Sequence, residues 1–160
     1  MLKNKVMKVI KKEKEAYTNH ILLFQNAQAW YKIYLYLLKD IRTSFDFLTQ
    51  RFVSLIFAIE LYLKSYLCFL DKKYEKVNKL RNLSHRIDKI CNEIIKRDKD
   101  FIKFEKIFKE FNYFRDSYTL LRYPEVGNLI EGLSLFKIED FEEMIEYIKK
   151  NQREKKSVNK

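Results

Sequence analysis

The sequence contains very few of the residues that most often interrupt a helix. Its 160 residues include two glycines and one proline, and all three (Pro124, Gly127 and Gly132) fall within nine residues of one another. Proline lacks a backbone donor and glycine adds backbone entropy, so long stretches without either residue favour uninterrupted helices. The sequence before residue 124 is therefore predicted to fold into long helices.

Cysteine and histidine are equally scarce, with two of each in the whole chain. Cys68 and Cys91 lack CxxC-type spacing, and each lies within an apolar helical pattern. We therefore expect buried, reduced thiols, as is usual for cytoplasmic proteins. The sequence has neither ligand spacing typical of zinc nor a glycine-rich phosphate loop, so we expect no metal and no cofactor.

No segment is predicted to enter a membrane. The first fifteen residues are too charged to form the apolar core of a signal peptide. The most apolar stretch, residues 45–70, is interrupted by charged residues that make crossing a bilayer costly: Asp46, Arg51, Glu60 and Lys64. We expect a soluble, cytoplasmic protein with no membrane partner.

Positive charge is in excess, and most of it lies at the two ends of the chain. The formal net charge is +11, of which residues 1–15 contribute +4 and residues 149–160 contribute +5. We interpret residues 1–15 as a basic tail or helix extension and residues 151–160 as a flexible basic tail. Such ends either keep a protein soluble or add affinity for nucleic acid. The folded domain is expected to span residues 16–150.

One basic cluster lies inside this domain. Residues 72–89 carry a net charge of +5, which the acidic run over residues 139–146 nearly balances. The cluster is either a solvated face or a surface that contacts nucleic acid. For the second alternative, the candidate contacts are Lys72, Lys73, Lys79, Arg81 and Arg86.

Apolar residues recur at three- and four-residue steps, which is the spacing of one helix face. The spacing predicts helices over residues 16–41, 45–71, 84–94, 100–123 and 138–150, with a polar, partly helical connection over 72–82. Ser44 and Ser84 are natural N-caps, and Pro124 ends the fourth helix. The expected fold class is all-α, an up-and-down bundle of four to five antiparallel helices.

Three segments, taken in order, resemble the landmarks of small prokaryotic HEPN proteins. Residues 58–67 place an acid and then Leu-Lys inside an apolar helix, and residues 121–125 contain Arg-Tyr-Pro. Residues 84–90 resemble the Gly-His-Asp-Leu start of that family's third helix, with Ser84 in the glycine position and Arg86 in the aspartate position. The resemblance covers about residues 22–150 and implies a HEPN-like, homodimeric bundle.

HEPN ribonucleases carry an arginine followed, after four to six residues, by a histidine, and this chain departs from that pattern. Arg81 and His85 are separated by only three residues, and the permitted spacings hold Leu80, Lys79 and Asn78. His85 is a candidate base at a predicted helix start among cations, or alternatively a capping or packing residue. His85 and Arg81 are the candidate catalytic residues.

Glu60 and Lys64 lie one helical turn apart, with the acid nearer the N-terminus, which is the favourable order for an ion pair. Glu60 also borders the apolar stripe of its helix, so we expect a buried structural ion pair. Arg122 is a further candidate partner, because its guanidinium can hold a carboxylate through two hydrogen bonds.

Three functions are compatible with these residues. The first is a HEPN-like protein that binds RNA or nucleotide, is non-catalytic or catalytically altered, and acts with an antitoxin or nucleotidyltransferase partner in a bacterial toxin–antitoxin or defence system. The second is an active, metal-independent HEPN ribonuclease toxin that uses His85 with Arg81 or Lys79. The third is a helical adaptor that recruits a nucleotidyltransferase or another protein.

Overall fold

The protein is an all-α bundle, as the sequence predicted. The structure, a computed structural model, describes residues 18–39, 45–108 and 137–158. Its α-helices are α1 (His20–Leu38), α2 (Phe45–Leu70), α3 (Val77–Leu83), α4 (Ile87–Ile95) and α5 (Ile138–Val158). Two 3-10 helices complete the described part, Lys72–Glu75 before α3 and Lys99–Phe104 after α4. Residues 105–108 continue the second one as α-helix.

Helix α2 is the centre of the bundle. Its buried residues lie on almost every side, from Leu55 and Ile59 to Tyr66 and Leu67, as expected of a helix that other elements surround. Helices α1, α4 and α5 all pack against it. Residues 50–70 are long and apolar enough to cross a membrane by length and composition, but two-thirds of that segment is buried inside the bundle. Its apolar surface therefore forms the protein core.

Helix α5 extends further than the sequence predicted. The expected end near residue 150 and the flexible tail from residue 151 are wrong for residues 151–158, which are helical. The side-chain amide of Gln152 donates to Ser65 Oγ on α2 over 3.2 Å, which anchors this last part of the helix. Polar and charged residues on an exposed helix show no apolar period. The apolar pattern therefore ended before the helix itself did.

The segment after α2 is held against α4 by a network of charges. Arg97 Nε donates to Asp71 Oδ2 over 2.9 Å, and Arg97 Nη1 donates to Glu93 Oε2 over 2.9 Å. Tyr74 OH donates to the same Glu93 oxygen over 2.7 Å. Hydrogen bonds from Lys96, Tyr74 and Arg97 lower the pKa of Glu93 to about 2. The predicted polar connection over 72–82 is thus a fixed 3-10 turn followed by helix α3.

The sequence prediction for the segment after Asp100 also needs correction. The helix expected after Asp100 begins with 3-10 geometry, Lys99–Phe104, in which Phe101 and Phe104 are buried. His20, at the start of α1, is half-buried, and its ring meets Phe69 edge-to-face with centroids 5.4 Å apart. The proposed cap Ser44 and the proposed helix end at Pro124 lie outside the described residues.

Ser84 does not start a helix, contrary to the prediction. It is the C-cap of α3, where its backbone N–H donates to Arg81 O over 2.8 Å, and α4 begins only at Ile87. An N-cap residue needs an extended backbone, whereas Ser84 has φ 55° and ψ −145°. Positive φ is a conformation that favours glycine, the residue found here in the HEPN pattern.

We therefore expect Ser84→Gly to stabilise the protein. A non-glycine residue held in an unfavourable backbone region costs roughly 1–3 kcal/mol of stability, and glycine removes this cost. Glycine also has more freedom in the unfolded chain, which takes back up to about 1 kcal/mol of the gain. The expected gain in the free energy of unfolding, measured by urea titration, is about 1 kcal/mol. Asn82→Gly is the matched control inside α3 and should be slightly destabilising. A loss of stability in Ser84→Gly would show that the serine is not strained.

Candidate functional site

Three side chains meet at one side of α2, two from the helix itself and one from the later turn between α3 and α4. Glu60 is buried, with 5% of its side chain exposed, and Lys64 lies one turn further along the same helix. Lys64 Nζ is 2.6 Å from Glu60 Oε1. His85, in the turn between α3 and α4, places Nδ1 2.9 Å from Glu60 Oε2 and 3.1 Å from Oε1. The carboxylate thus binds a lysine and a histidine at once.

The fold explains why these groups come together. A carboxylate inside a core helix must be paired, because burying an unpaired charge is very costly. The spacing of four residues supplies Lys64 from within α2. The turn at Ser84 ends α3 and directs the next residue, His85, onto α2. Sequence reasoning paired Glu60 with Lys64 or Arg122 and missed His85, although both residues stand in the recognised motifs.

The carboxylate determines how His85 can act. A carboxylate oxygen accepts hydrogen bonds, so Nδ1 of His85 is the donor, and Nε2 is the acceptor of the neutral ring. The histidine side chain is 60% exposed, although its partner is buried. An imidazole oriented by a carboxylate in this way can accept a proton or bind an anionic group through its other edge.

The predicted nucleic-acid contacts fall into two groups. Lys73 pairs with Asp71 over 3.3 Å, and the Arg86 guanidinium binds the Asp88 carboxylate with a shortest distance of 2.6 Å. Lys72, Lys79 and Arg81 are exposed, and within the described part of the chain their side chains make no ion pair. Three cations of the segment between α2 and the His85 turn therefore carry charge that no described carboxylate neutralises.

The structure does not place Arg81 and His85 on one continuous helix. Arg81 belongs to the last turn of α3, and His85 follows the chain reversal at Ser84. Their four-residue separation therefore does not put them on a shared helix face. Arg122, the other predicted partner of Glu60, lies outside the described residues.

The two cysteines are buried, as the sequence predicted. Burial raises the pKa of Cys68 to about 12 and that of Cys91 well above its usual value, so neither is a ready nucleophile. Cys68 Sγ also donates to Tyr74 O over 3.2 Å. Across residues 18–39, 45–108 and 137–158, no group of three His, Cys, Asp or Glu residues is arranged to hold a metal ion.

Glu60→Ala is expected to be strongly destabilising. It leaves the largely buried Lys64 without its partner, and breaking a buried ion pair costs roughly 3–5 kcal/mol. The free energy of unfolding from chemical denaturation measures the effect. Glu143→Ala is the control, because Glu143 is exposed and lies 3.8 Å from Lys103. Equal stability of the two variants would contradict a structural role for the Glu60 carboxylate.

Comparison with known proteins places these residues in a wider context. The family model described as HEPN domain matches residues 56–154, which is more than half of the chain. The match begins within α2 and includes Glu60, Lys64 and the His85 turn. No curated protein and no solved structure matches the chain.

Proposed function

Because the chain belongs to the HEPN domain family, we propose that it binds RNA at the turn between α3 and α4. Membership of the family supports a nucleotide- or RNA-related function in general. The observation that supports RNA as the ligand is the set of exposed cations on the segment that leads to His85, namely Lys72, Lys79 and Arg81. RNA phosphates are the natural partners of such a surface.

The segment that carries these cations contacts the rest of the bundle at both of its ends. Its first residues are fixed to α4 through Asp71, Arg97 and Glu93, and its last turn is fixed to α2 through His85 and Glu60. Cations on a fixed backbone lose less conformational freedom on binding than cations on a flexible tail. The basic residues at the two ends of the chain would add further affinity that depends on salt concentration.

A substitution of three cations tests the proposed surface. Lys72→Gln, Lys79→Gln and Arg81→Gln together should weaken binding to a single-stranded oligoribonucleotide. Each phosphate contact on a single strand contributes about 0.7 to the slope of log affinity against log salt concentration, so losing three lowers the slope by about 2. Fluorescence anisotropy at several salt concentrations measures both quantities.

The matched control removes the same charge elsewhere. Lys32, Lys99 and Lys106 are exposed residues outside the segment, and changing all three to glutamine should leave most of the slope intact. If both triple variants lose affinity equally, binding follows net charge, and the 72–89 segment is a solvated face.

The proposed setting is a bacterial toxin–antitoxin or defence system in which a homodimer acts with an antitoxin or a nucleotidyltransferase. Family membership is the support for this part of the proposal. The adaptor hypothesis differs in what it requires of the residues. An adaptor keeps its function when His85 and the three cations are replaced, whereas an RNA-binding protein does not.

A second candidate function, metal-independent cleavage of RNA, is favoured by the contact between His85 and Glu60. In that reaction Nε2 of His85 would take the proton of a ribose 2′-hydroxyl, and the 2′-oxygen would attack phosphorus. The bond from phosphorus to the 5′-oxygen would break, and that oxygen would take a proton from the protonated imidazole or from water. A nearby cation would stabilise the charge that develops on phosphate. Here the arginine–histidine spacing is shorter than in HEPN ribonucleases.

We expect RNA to be bound without being cleaved. The assay incubates purified protein and single-stranded RNA with a metal chelator and compares the wild type with His85→Ala. The RNA should remain intact to the same extent with the wild type and with His85→Ala. Cleavage that persists in chelator and disappears in His85→Ala, while folding and RNA binding are retained, would establish the ribonuclease function instead.

A further inference from the structure

An open groove of about 300 Å³ lies between the start of α1 and the C-terminal half of α5. Residues 20–28 of α1 line one side, and residues 149–153 of α5 line the other. The side chains that matter most here are Phe24, Gln25, Gln28, Gln152 and Arg153. None of them belongs to the site formed by Glu60, Lys64 and His85.

The walls of this groove are joined beneath it. Ser65 of α2 is fully buried, and its hydroxyl donates to the backbone carbonyl of His20 over 2.7 Å. The side-chain amide of Gln152 donates to the same hydroxyl over 3.2 Å. One serine therefore links α1, α2 and α5, so the groove is held open by regular helices and does not depend on a loop.

The lining has a distinct chemical character. Three glutamine amides provide both donors and acceptors, and Phe24 provides an aromatic surface. Arg153 is exposed and has no ion pair among the described residues, whereas Lys149 pairs with Glu146 over 2.5 Å. The described residues that line the groove include no carboxylate. This combination suits a ligand with a planar, hydrogen-bonding ring and an anionic group.

We propose that the groove binds one nucleotide unit, either a free mononucleotide or one nucleotide of an RNA strand. Its volume lies at the lower end of the roughly 300–1,000 Å³ range of small-molecule sites. The base would pack against Phe24, with its edge read by Gln25 and Gln28. The phosphate would bind Arg153, whose guanidinium matches two phosphate oxygens.

This is a second site, separate from the His85 turn. Ser65, below the groove, follows Lys64 by one residue, so the two side chains leave α2 roughly 100° apart around its axis. The proposal therefore goes beyond RNA binding at the His85 turn and does not rest on it. A His85→Ala variant that loses RNA binding at the turn should still bind a nucleotide in the groove.

The test is a titration of isotope-labelled protein followed by NMR. The ligands are AMP, CMP, GMP, UMP, inorganic phosphate and a short single-stranded oligoribonucleotide. We expect saturable shifts of the backbone signals of residues 20–28 and 149–153. Arg153→Gln and Gln28→Ala should each weaken the affinity at least tenfold. Lys150→Gln, an exposed α5 lysine outside the groove lining, should change it less than twofold.

Each result bears on the proposal. Saturable shifts with a mononucleotide identify a site for free nucleotide, and shifts with the oligoribonucleotide alone identify a site for one unit of a strand. No shift at the groove with any nucleotide or oligoribonucleotide overturns the proposal. So does inorganic phosphate binding as tightly as the nucleotides, or an equal loss of affinity in Lys150→Gln, because either shows a general attraction for anions.

Discussion

The structure depends on the buried carboxylate of Glu60. This charge lies inside the central helix, where it is tolerated only because Lys64 and His85 both bind it. Lys64 comes from the same helix and needs no long-range contact. His85 comes from the turn after α3, so the carboxylate also determines where that turn must lie. The positive φ of Ser84 fits this requirement, because the chain must reverse between α3 and α4 to deliver the histidine.

The same contact links stability to function. Glu60 gives the largely buried Lys64 a partner, and it also orients His85, the histidine at the proposed RNA site. At the other end of the basic segment, Arg97 joins Asp71 and Glu93 in a similar way. The exposed cations are thus displayed between two anchored points. If a variant of Glu60 loses RNA binding, its folding therefore has to be compared with that of the wild type before the loss of binding is assigned to His85.

Much of this arrangement could be predicted from sequence, but only where the causes are local. The apolar period of α2 predicted a helix over 45–71, close to the observed Phe45–Leu70, and the four-residue spacing identified Lys64 as a partner of Glu60. The contact with His85 joins residues 25 positions apart and depends on the path of the turn. Serine is a common N-cap residue, and only the backbone angles of Ser84 show that it is a C-cap. The groove depends on packing between α1 and α5, which no local pattern encodes.

The choice between binding and catalysis depends on how firmly a cation is held beside His85. Catalysis requires the cation to sit at the phosphate in the transition state with little freedom to lose. Arg81 is separated from His85 by the reversal at Ser84, and its exposed side chain has no hydrogen-bonding partner among the described residues. Ordering such a side chain opposes up to roughly 2 kcal/mol of rotamer entropy in each turnover. Binding tolerates a mobile cation, because many contacts share the entropy cost of ordering the side chains. A catalytic step that depends on one cation cannot share that cost. This lack of a held position for Arg81 is the physical reason why RNA binding is proposed ahead of RNA cleavage.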